Sequence, residues 1–169
     1  YLDELYFQLK TFGINIECNN YEIKIPKKQH IKNNKYVCNF GHYPELCSDW
    51  QPLITLLLCK NNNESIIYDS LFNNRYQYLY QLKKVMPNIS FDIYNNLAVV
   101  NGSTNPYVEI DMRWGVFSML DIRSAAAVII SLSKCYNFEL SNIEQIFRGY
   151  EQVSDISPKL GSVVNYEFE

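Results

Sequence analysis

The sequence predicts an α+β fold made of a repeated unit, with mixed sheets and outer helices around buried inner helices. Two apolar helical stretches, at 49–60 and 121–134, both begin with Asp, end with Lys and lead into a strand. Each strand is followed by a loop that contains Arg and Tyr, Arg75-Tyr76 in one case and Arg148-Gly149-Tyr150 in the other. The helices are 72 residues apart (49 to 121) and the arginines 73 (75 to 148), so two separate landmarks share one period.

The segment after Arg75 completes the repeating unit. Leu79, Leu82 and Met86 recur at three- and four-residue steps, which predicts a one-sided outer helix ending at Pro87-Asn88. The helix from Asp121 is apolar nearly all round, as expected of an enclosed helix. Two strands joined by a turn are predicted after the outer helix: Ile89 to Ile93, Asn95-Asn96 and Leu97 to Val100.

The N-terminal segment repeats the second half of this unit. It has a helical stripe, a C-terminal cap at Gly13 and two predicted strands. We therefore predict a single domain over 1–169 that begins within a repeat and continues upstream of Tyr1. Its units are placed at 1–46 (partial), 47–118 and 119–169 (partial). The N-terminal features are the stripe Leu2, Leu5, Leu9 and Phe12, and the strands Ile14 to Ile16 and Tyr21 to Ile25.

Composition narrows the class of protein. The chain has 169 residues, 47% hydrophobic and 20% charged, with a formal charge of −3. A weakly acidic chain argues against a dedicated binder of nucleic acid or of a membrane surface, and no apolar run approaches the ~20 residues of a membrane span. Five scattered cysteines without a C-x-x-C pair indicate a reducing, cytoplasmic protein. The two histidines lack metal-ligand spacing to any cysteine, so no metal site is expected. No cofactor is expected either.

Four residues near the starts of predicted helices are candidates for a site: Asp49, Arg75, Arg123 and Arg148. Helix N-termini present free N–H groups, and arginine adds a planar fork that matches carboxylate or phosphate. The three arginines could therefore converge on one anion, or they could form ordinary surface ion pairs. Asp49 could act as a helix N-cap, as could Asp121. The residue pattern leaves these alternatives open.

Four segments carry a resemblance to a known family, the UDP-N-acetylglucosamine enolpyruvyl transferases. Tyr43 to Gln51 resembles the family's Y-P-x-x-x-T-D-x-Q, and Phe72 to Tyr76 resembles F-E-N-R-[FY]. Asp121 to Ala127 resembles D-L-R-A-x-A-x, and Arg148 to Glu151 matches R-G-Y-E. The motifs occur in family order over nearly the whole chain. The sister family of 5-enolpyruvylshikimate-3-phosphate synthases fits them less well.

The resemblance implies repeated βαβαββ units and a C-terminal piece of a two-domain enzyme, whose N-terminal domain would be the partner of this chain. The implied reaction transfers the enolpyruvyl group of phosphoenolpyruvate to the 3′-hydroxyl of UDP-N-acetylglucosamine in peptidoglycan synthesis. By the same resemblance, Asp49 would remove the hydroxyl proton. Arg75, Arg123 and Arg148 would grip the phosphate and carboxylate of phosphoenolpyruvate, and Leu71 would lie beside the nucleotide.

Departures from the family pattern leave room for other functions. Ser48 stands where the family has Thr, Asn73 replaces Glu, and the predicted hairpin Val108 to Leu120 is longer than usual. The family's catalytic lysine and its loop cysteine or aspartate have no counterpart in this sequence. The first alternative is a non-catalytic or specialised paralogue that binds a nucleotide sugar. An RNA-binding or RNA-processing relative is a weaker one, because the chain is acidic.

Overall fold

The computed structural model describes residues 2–19, 21–27, 29–107, 115–133, 135 and 138–150. The helices are α1 (Asp3–Thr11), α2 (Gln51–Leu58), α3 (Tyr78–Val85), α4 (Ile122–Leu132) and α5 (Glu144–Phe147), with short 3₁₀ helices at Ser48–Trp50 and Arg75–Gln77. The strands are β1 (Glu17–Cys18), β2 (Ile23–Lys24), β3 (Tyr36–Gly41), β4 (Leu46–Cys47), β5 (Glu64–Asp69), β6 (Ser90–Tyr94), β7 (Leu97–Asn101), β8 (Val116–Ser118) and β9 (Glu139–Ser141).

The main sheet is mixed and has the strand order β4-β3-β5-β7-β6. Strand β3 pairs in parallel with β4 and β5, whereas β7 runs antiparallel to both β5 and β6. Helix α2 lies between the parallel strands β3 and β5 along the chain. Strands β6 and β7 are joined by the two-residue loop Asn95-Asn96, where Asn95 adopts a φ of 41°. A helical crossover and a hairpin in one unit therefore produce the predicted mixed sheet.

The inner helices α2 and α4 pack against each other and supply much of the core. Ile54, Leu58, Val128 and Leu132 are at most 3% exposed. Helix α3 is one-sided as predicted, because Leu79 and its neighbours one turn along the helix are buried while Tyr80 is exposed. The predicted α+β architecture of enclosed inner helices, outer helices and mixed sheets is confirmed.

Helix α1 ends in the way its sequence predicts. Gly13 has a φ of 86°, and its N–H donates to the Lys10 carbonyl while the N–H of Ile14 donates to the Leu9 carbonyl. This pair of bonds is a Schellman motif, which satisfies carbonyls at the helix end and favours glycine at the left-handed position. Phe12 and Leu5 anchor the helix in the core, while Leu2 is 41% exposed.

The order β–α–β occurs twice in the described part of the chain. Strands β3 and β5 pair in parallel around α2, and β8 and β9 pair in parallel around α4. The predicted hairpin Val108 to Leu120 contains β8, which pairs with β9. Positions 108–114 lie outside the described residues, so the hairpin itself stays a prediction. By this order the central unit opens with β3, so we propose moving its start from residue 47 to about residue 36.

One strand prediction needs correction, and one strand was missed. The first N-terminal strand is Glu17–Cys18 rather than Ile14 to Ile16, because the Schellman motif uses the N–H of Ile14 to close α1. Strand β3 was not located in the sequence, although Tyr36, Cys38 and Phe40 alternate with exposed residues and are buried. In the part of the chain that the structure describes, no helix has both the length and the apolar character needed to cross a membrane.

Candidate active site

Asp49 lies in the 3₁₀ helix that leads into α2, and its side chain does not cap that helix. Neither the 3₁₀ helix nor α2 has a side-chain cap hydrogen bond. The capping alternative for Asp49 is therefore wrong. Its side chain is 51% exposed and contacts two arginines instead: Oδ2 is 3.3 Å from Arg123 Nη2, and Oδ1 is 3.8 Å from Arg75 Nη2.

Arg75 opens the second 3₁₀ helix, directly after Asn74 in a left-handed conformation with a φ of 60°. Its side chain is only 15% exposed, and its guanidinium carbon lies 4.4 Å from the centre of the Phe72 ring. Nη1 donates to the Ser48 carbonyl at 3.4 Å, and Nη2 lies 3.7 Å from Asp121 Oδ1. The guanidinium is therefore held in one orientation by a ring, a carbonyl and two carboxylates.

Asp121 is a helix cap, as its pattern predicts. Its Oδ1 accepts from the N–H groups of Arg123 and Ser124, and Ser124 Oγ lies 3.2 Å from the Asp121 amide nitrogen. This capping box fixes the start of α4. The cap places the Arg123 side chain so that it contacts both Asp49 and the Tyr150 hydroxyl, the latter at 3.4 Å. The hydrogen bond to Tyr150, followed by the contact with Asp49, raises the pKa of Arg123.

Arg148 is placed differently from the other candidates. It directly follows the short helix α5, and its Nη1 donates to Gln145 Oε1 at 2.9 Å. Among the described residues, no hydrogen bond or ion pair joins Arg148 to Asp49, Arg75 or Arg123. Two of the three predicted arginines thus meet at Asp49, while convergence of the third stays a prediction.

A cleft of about 320 Å³ lies beside Asp49. Its wall includes Leu71, the residue expected beside a nucleotide, and this places Asp49 and Leu71 on one cavity. The lining also includes the carboxylates of Glu4 and Glu45 and several aromatic or imidazole side chains. The remaining lining residues are Leu5, Gly41, His42, Tyr43, Leu46, Cys47, Ser48, Trp50 and Phe72.

Sequence reasoning missed Asp69, a buried carboxylate behind this cleft. Asp69 is the last residue of β5 and is fully buried, and Ser48 is only 3% exposed. Ser48 Oγ donates to Asp69 Oδ1 at 2.9 Å, and the same oxygen accepts from the N–H groups of Leu71 and Phe72. The sequence offered only a weak signal, an acidic residue two positions before Leu71. Gln51, which matches the last position of the first motif, is buried and donates to the Tyr78 hydroxyl, so its contact is structural.

The chain is similar to enolpyruvyl transferases over nearly all of its length. It is 29% identical over 98% of its residues to the UDP-N-acetylglucosamine 1-carboxyvinyltransferase of Fervidobacterium nodosum, and 28% identical over 93% to UDP-N-acetylglucosamine 1-carboxyvinyltransferase 2 of Lactiplantibacillus plantarum. It spans only 37% and 35% of those proteins.

The structural comparison gives the same fold. The crystal structure of the enolpyruvyl transferase NikO from Streptomyces tendae superposes with a TM-score of 0.77 over 95% of this chain and 35% of that one, at 21% identity. No family model matches the sequence. The resemblance drawn from the four motifs is thereby confirmed, and so is the enolpyruvyl transferase-like fold.

Proposed function

We propose that this enolpyruvyl transferase-like chain is the C-terminal part of an enzyme that transfers the enolpyruvyl group of phosphoenolpyruvate to the 3′-hydroxyl of UDP-N-acetylglucosamine. The observation that carries the proposal is the position of Asp49. Its carboxylate lies at the N-terminal end of an inner helix, is half exposed, lines the 320 Å³ cleft, and contacts two arginines. Such a protein would act in peptidoglycan synthesis in the cytoplasm.

Asp49 is suited to accept the proton of the sugar hydroxyl. A helix cap would have an oxygen occupied by backbone N–H groups, as Asp121 Oδ1 is, whereas Asp49 forms no cap bond. Its oxygens face the cleft and the arginines, so a hydroxyl entering the cleft could hydrogen bond to them. A carboxylate within hydrogen-bond reach of the transferred proton is what general base catalysis requires.

Arg75 and Arg123 supply the positive charge that phosphoenolpyruvate needs. Arg75 is held by Phe72 and Ser48 on its sides, so little side-chain entropy would be lost when it binds an anion. Fixed guanidinium groups can stabilise charge that develops on the phosphate and carboxylate during addition. Arg148 is exposed, and a bound anion could replace its hydrogen bond to Gln145. We therefore propose Arg148 as a third residue that binds phosphoenolpyruvate.

Leu71 supports a nucleotide subsite in the cleft that Asp49 also lines. The Asp69 carboxylate fixes the backbone at Leu71 by accepting from its N–H, and the Leu71 side chain is 41% exposed. A rigid backbone segment with an exposed apolar side chain can contact a nucleotide without rearrangement.

The direct test is phosphate release from phosphoenolpyruvate in the presence of UDP-N-acetylglucosamine. We expect turnover by the full-length protein that contains this chain, and no turnover by residues 1–169 alone, because the family's catalytic lysine and loop residue have no counterpart here. Binding of UDP-N-acetylglucosamine by the full-length protein without phosphate release would indicate the non-catalytic paralogue instead. Robust turnover by the isolated chain would show that the site is misplaced.

A further inference from the structure

A single buried oxygen joins two segments of the chain that line the candidate cleft. Asp69 Oδ1 accepts three hydrogen bonds: from Ser48 Oγ at 2.9 Å, from the Leu71 N–H at 3.0 Å and from the Phe72 N–H at 3.2 Å. Ser48 directly precedes Asp49, and Leu71 lines the same cleft from a different segment of the chain. The two segments are more than 20 positions apart in sequence, and the carboxylate lies between them.

The hydrogen bonds continue from Ser48 to Arg75. The Ser48 carbonyl accepts from Arg75, so its hydroxyl is held by Asp69 and its carbonyl by Arg75. The Asp69 amide donates to the Asn96 carbonyl at 2.9 Å, which attaches the carboxylate to the neighbouring strand pair. A chain of hydrogen bonds thus runs from the Leu71 loop through Asp69 and Ser48 to Arg75.

The three hydrogen bonds of the Asp69 carboxylate use only one of its two oxygens. Asp69 is fully buried, and its Oδ2 has no hydrogen-bond partner among the described residues. Unpaired buried oxygens also occur at Gln51, Asn61 and Gln81, so this oxygen alone does not indicate a function. All three donors converge on the other oxygen, which is the arrangement that fixes one segment relative to another.

We propose that Asp69 is a positioning residue that, through the Ser48 hydroxyl, sets the distance between the Asp49 carboxylate and the Leu71 backbone. This inference rests on the proposed transferase function. In that reaction Asp49 must reach the sugar hydroxyl while Leu71 contacts the nucleotide of the same substrate. A displacement of about 1 Å between the two would reduce the rate by up to ~10²-fold.

The test uses the full-length protein and three single variants. Ser48→Ala removes the bond to Asp69 and leaves Asp49, Leu71 and Arg75 unchanged, whereas Ser48→Thr keeps the hydroxyl. Ser131→Ala is the matched control, because Ser131 is an equally buried serine that donates to the Val128 carbonyl on α4, away from the cleft. Kinetics are measured well below the melting temperature, together with hydrogen exchange of peptides that contain Leu71.

We expect Ser48→Ala to lower kcat/KM for UDP-N-acetylglucosamine by ~10–10²-fold, and Ser48→Thr and Ser131→Ala to stay near wild type. Exchange at Leu71 should rise in Ser48→Ala alone. If wild-type protein turns over and Ser48→Ala matches it, the positioning role is wrong while the transferase function stands. If wild-type protein shows no turnover, the transferase function is wrong. In that case faster exchange at Leu71 in Ser48→Ala still supports the coupling, and unchanged exchange overturns it.

Discussion

The substitution Asp49→Asn separates a catalytic role for Asp49 from a structural one. Asparagine keeps the size of the side chain and removes the charge that contacts Arg75 and Arg123. Both contacts are partly exposed, since the Asp49 side chain is 51% exposed, so each contributes roughly 0–1 kcal/mol to folding. Arg75 would not be left unpaired, because Asp121, the Ser48 carbonyl and the Phe72 ring still hold it.

The expected loss of rate is larger than the expected loss of stability. Removing a general base lowers the rate by ~10²–10⁴-fold, which corresponds to about 2.7 kcal/mol or more in activation free energy. The loss of two exposed contacts is worth at most about 2 kcal/mol of folding free energy, which would shift the melting temperature by a few degrees. Turnover should therefore collapse at a temperature where the variant is still fully folded.

The assay is phosphate release by full-length protein, paired with thermal unfolding of the same preparation. Asp92→Asn provides a matched control, because Asp92 is an exposed residue of the edge strand β6, outside the cleft. It loses the same charge and should keep wild-type kinetics. Wild-type turnover by folded Asp49→Asn would refute the catalytic assignment and leave the arginines as the only argued part of the site.

Three further outcomes follow from the same contacts. Arg75→Lys should raise KM for phosphoenolpyruvate by about 10-fold or more, since it loses the planar fork and at least one charge-assisted hydrogen bond; an unchanged KM in steady-state kinetics would contradict its anion-binding role. Gly102→Ala should lower the free energy of unfolding by ~1–3 kcal/mol in urea titration, because a Cβ there would lie 2.5 Å from the Asn61 carbonyl oxygen. At pH 8 iodoacetamide should alkylate exposed Cys47 and spare Cys59, whose pKa burial raises to about 12, so that its thiol stays protonated; peptide mass spectrometry gives the result.

The sequence was most informative where one physical signal dominated. The apolar stretches after Asp49 and Asp121 could form only enclosed helices, and the Asn95-Asn96 pair between two strands matched a tight hairpin turn. These features depend on local pattern and on period, both of which a single sequence contains. The pattern left open whether Arg75, Arg123 and Arg148 converge on one anion or form ordinary ion pairs; in the structure Arg75 and Arg123 both contact Asp49, while Arg148 contacts Gln145.

Features that depend on long-range contacts could not be predicted in this way. The burial of Asp69 follows from the packing of β5 between β3 and β7, and an aspartate at the end of a strand gives no sign of it. The role of Asp49 was ambiguous because capping and catalysis use the same residue type at the same helix end. The missing cap hydrogen bond excludes capping, and the contact with Arg123, 74 residues away along the chain, is one that no local pattern contains. The catalytic role stays a proposal.

The topology explains why the candidate site lies where it does. In a β–α–β unit with parallel strands, each helix begins at the carboxyl end of the strand before it. Helices α2 and α4 occupy the same place in two such units and pack side by side, so both N-termini lie at one end of the fold. Polar residues at the starts of the two helices are therefore brought near each other, as Asp49 and Arg123 are. Anionic substrates would be drawn to the same end, because helix N-termini carry positive potential and because ligands of α/β folds bind at the carboxyl ends of parallel strands. The duplication of one unit thus supplies both the converging side chains and the positive potential that the proposed transfer of an enolpyruvyl group requires.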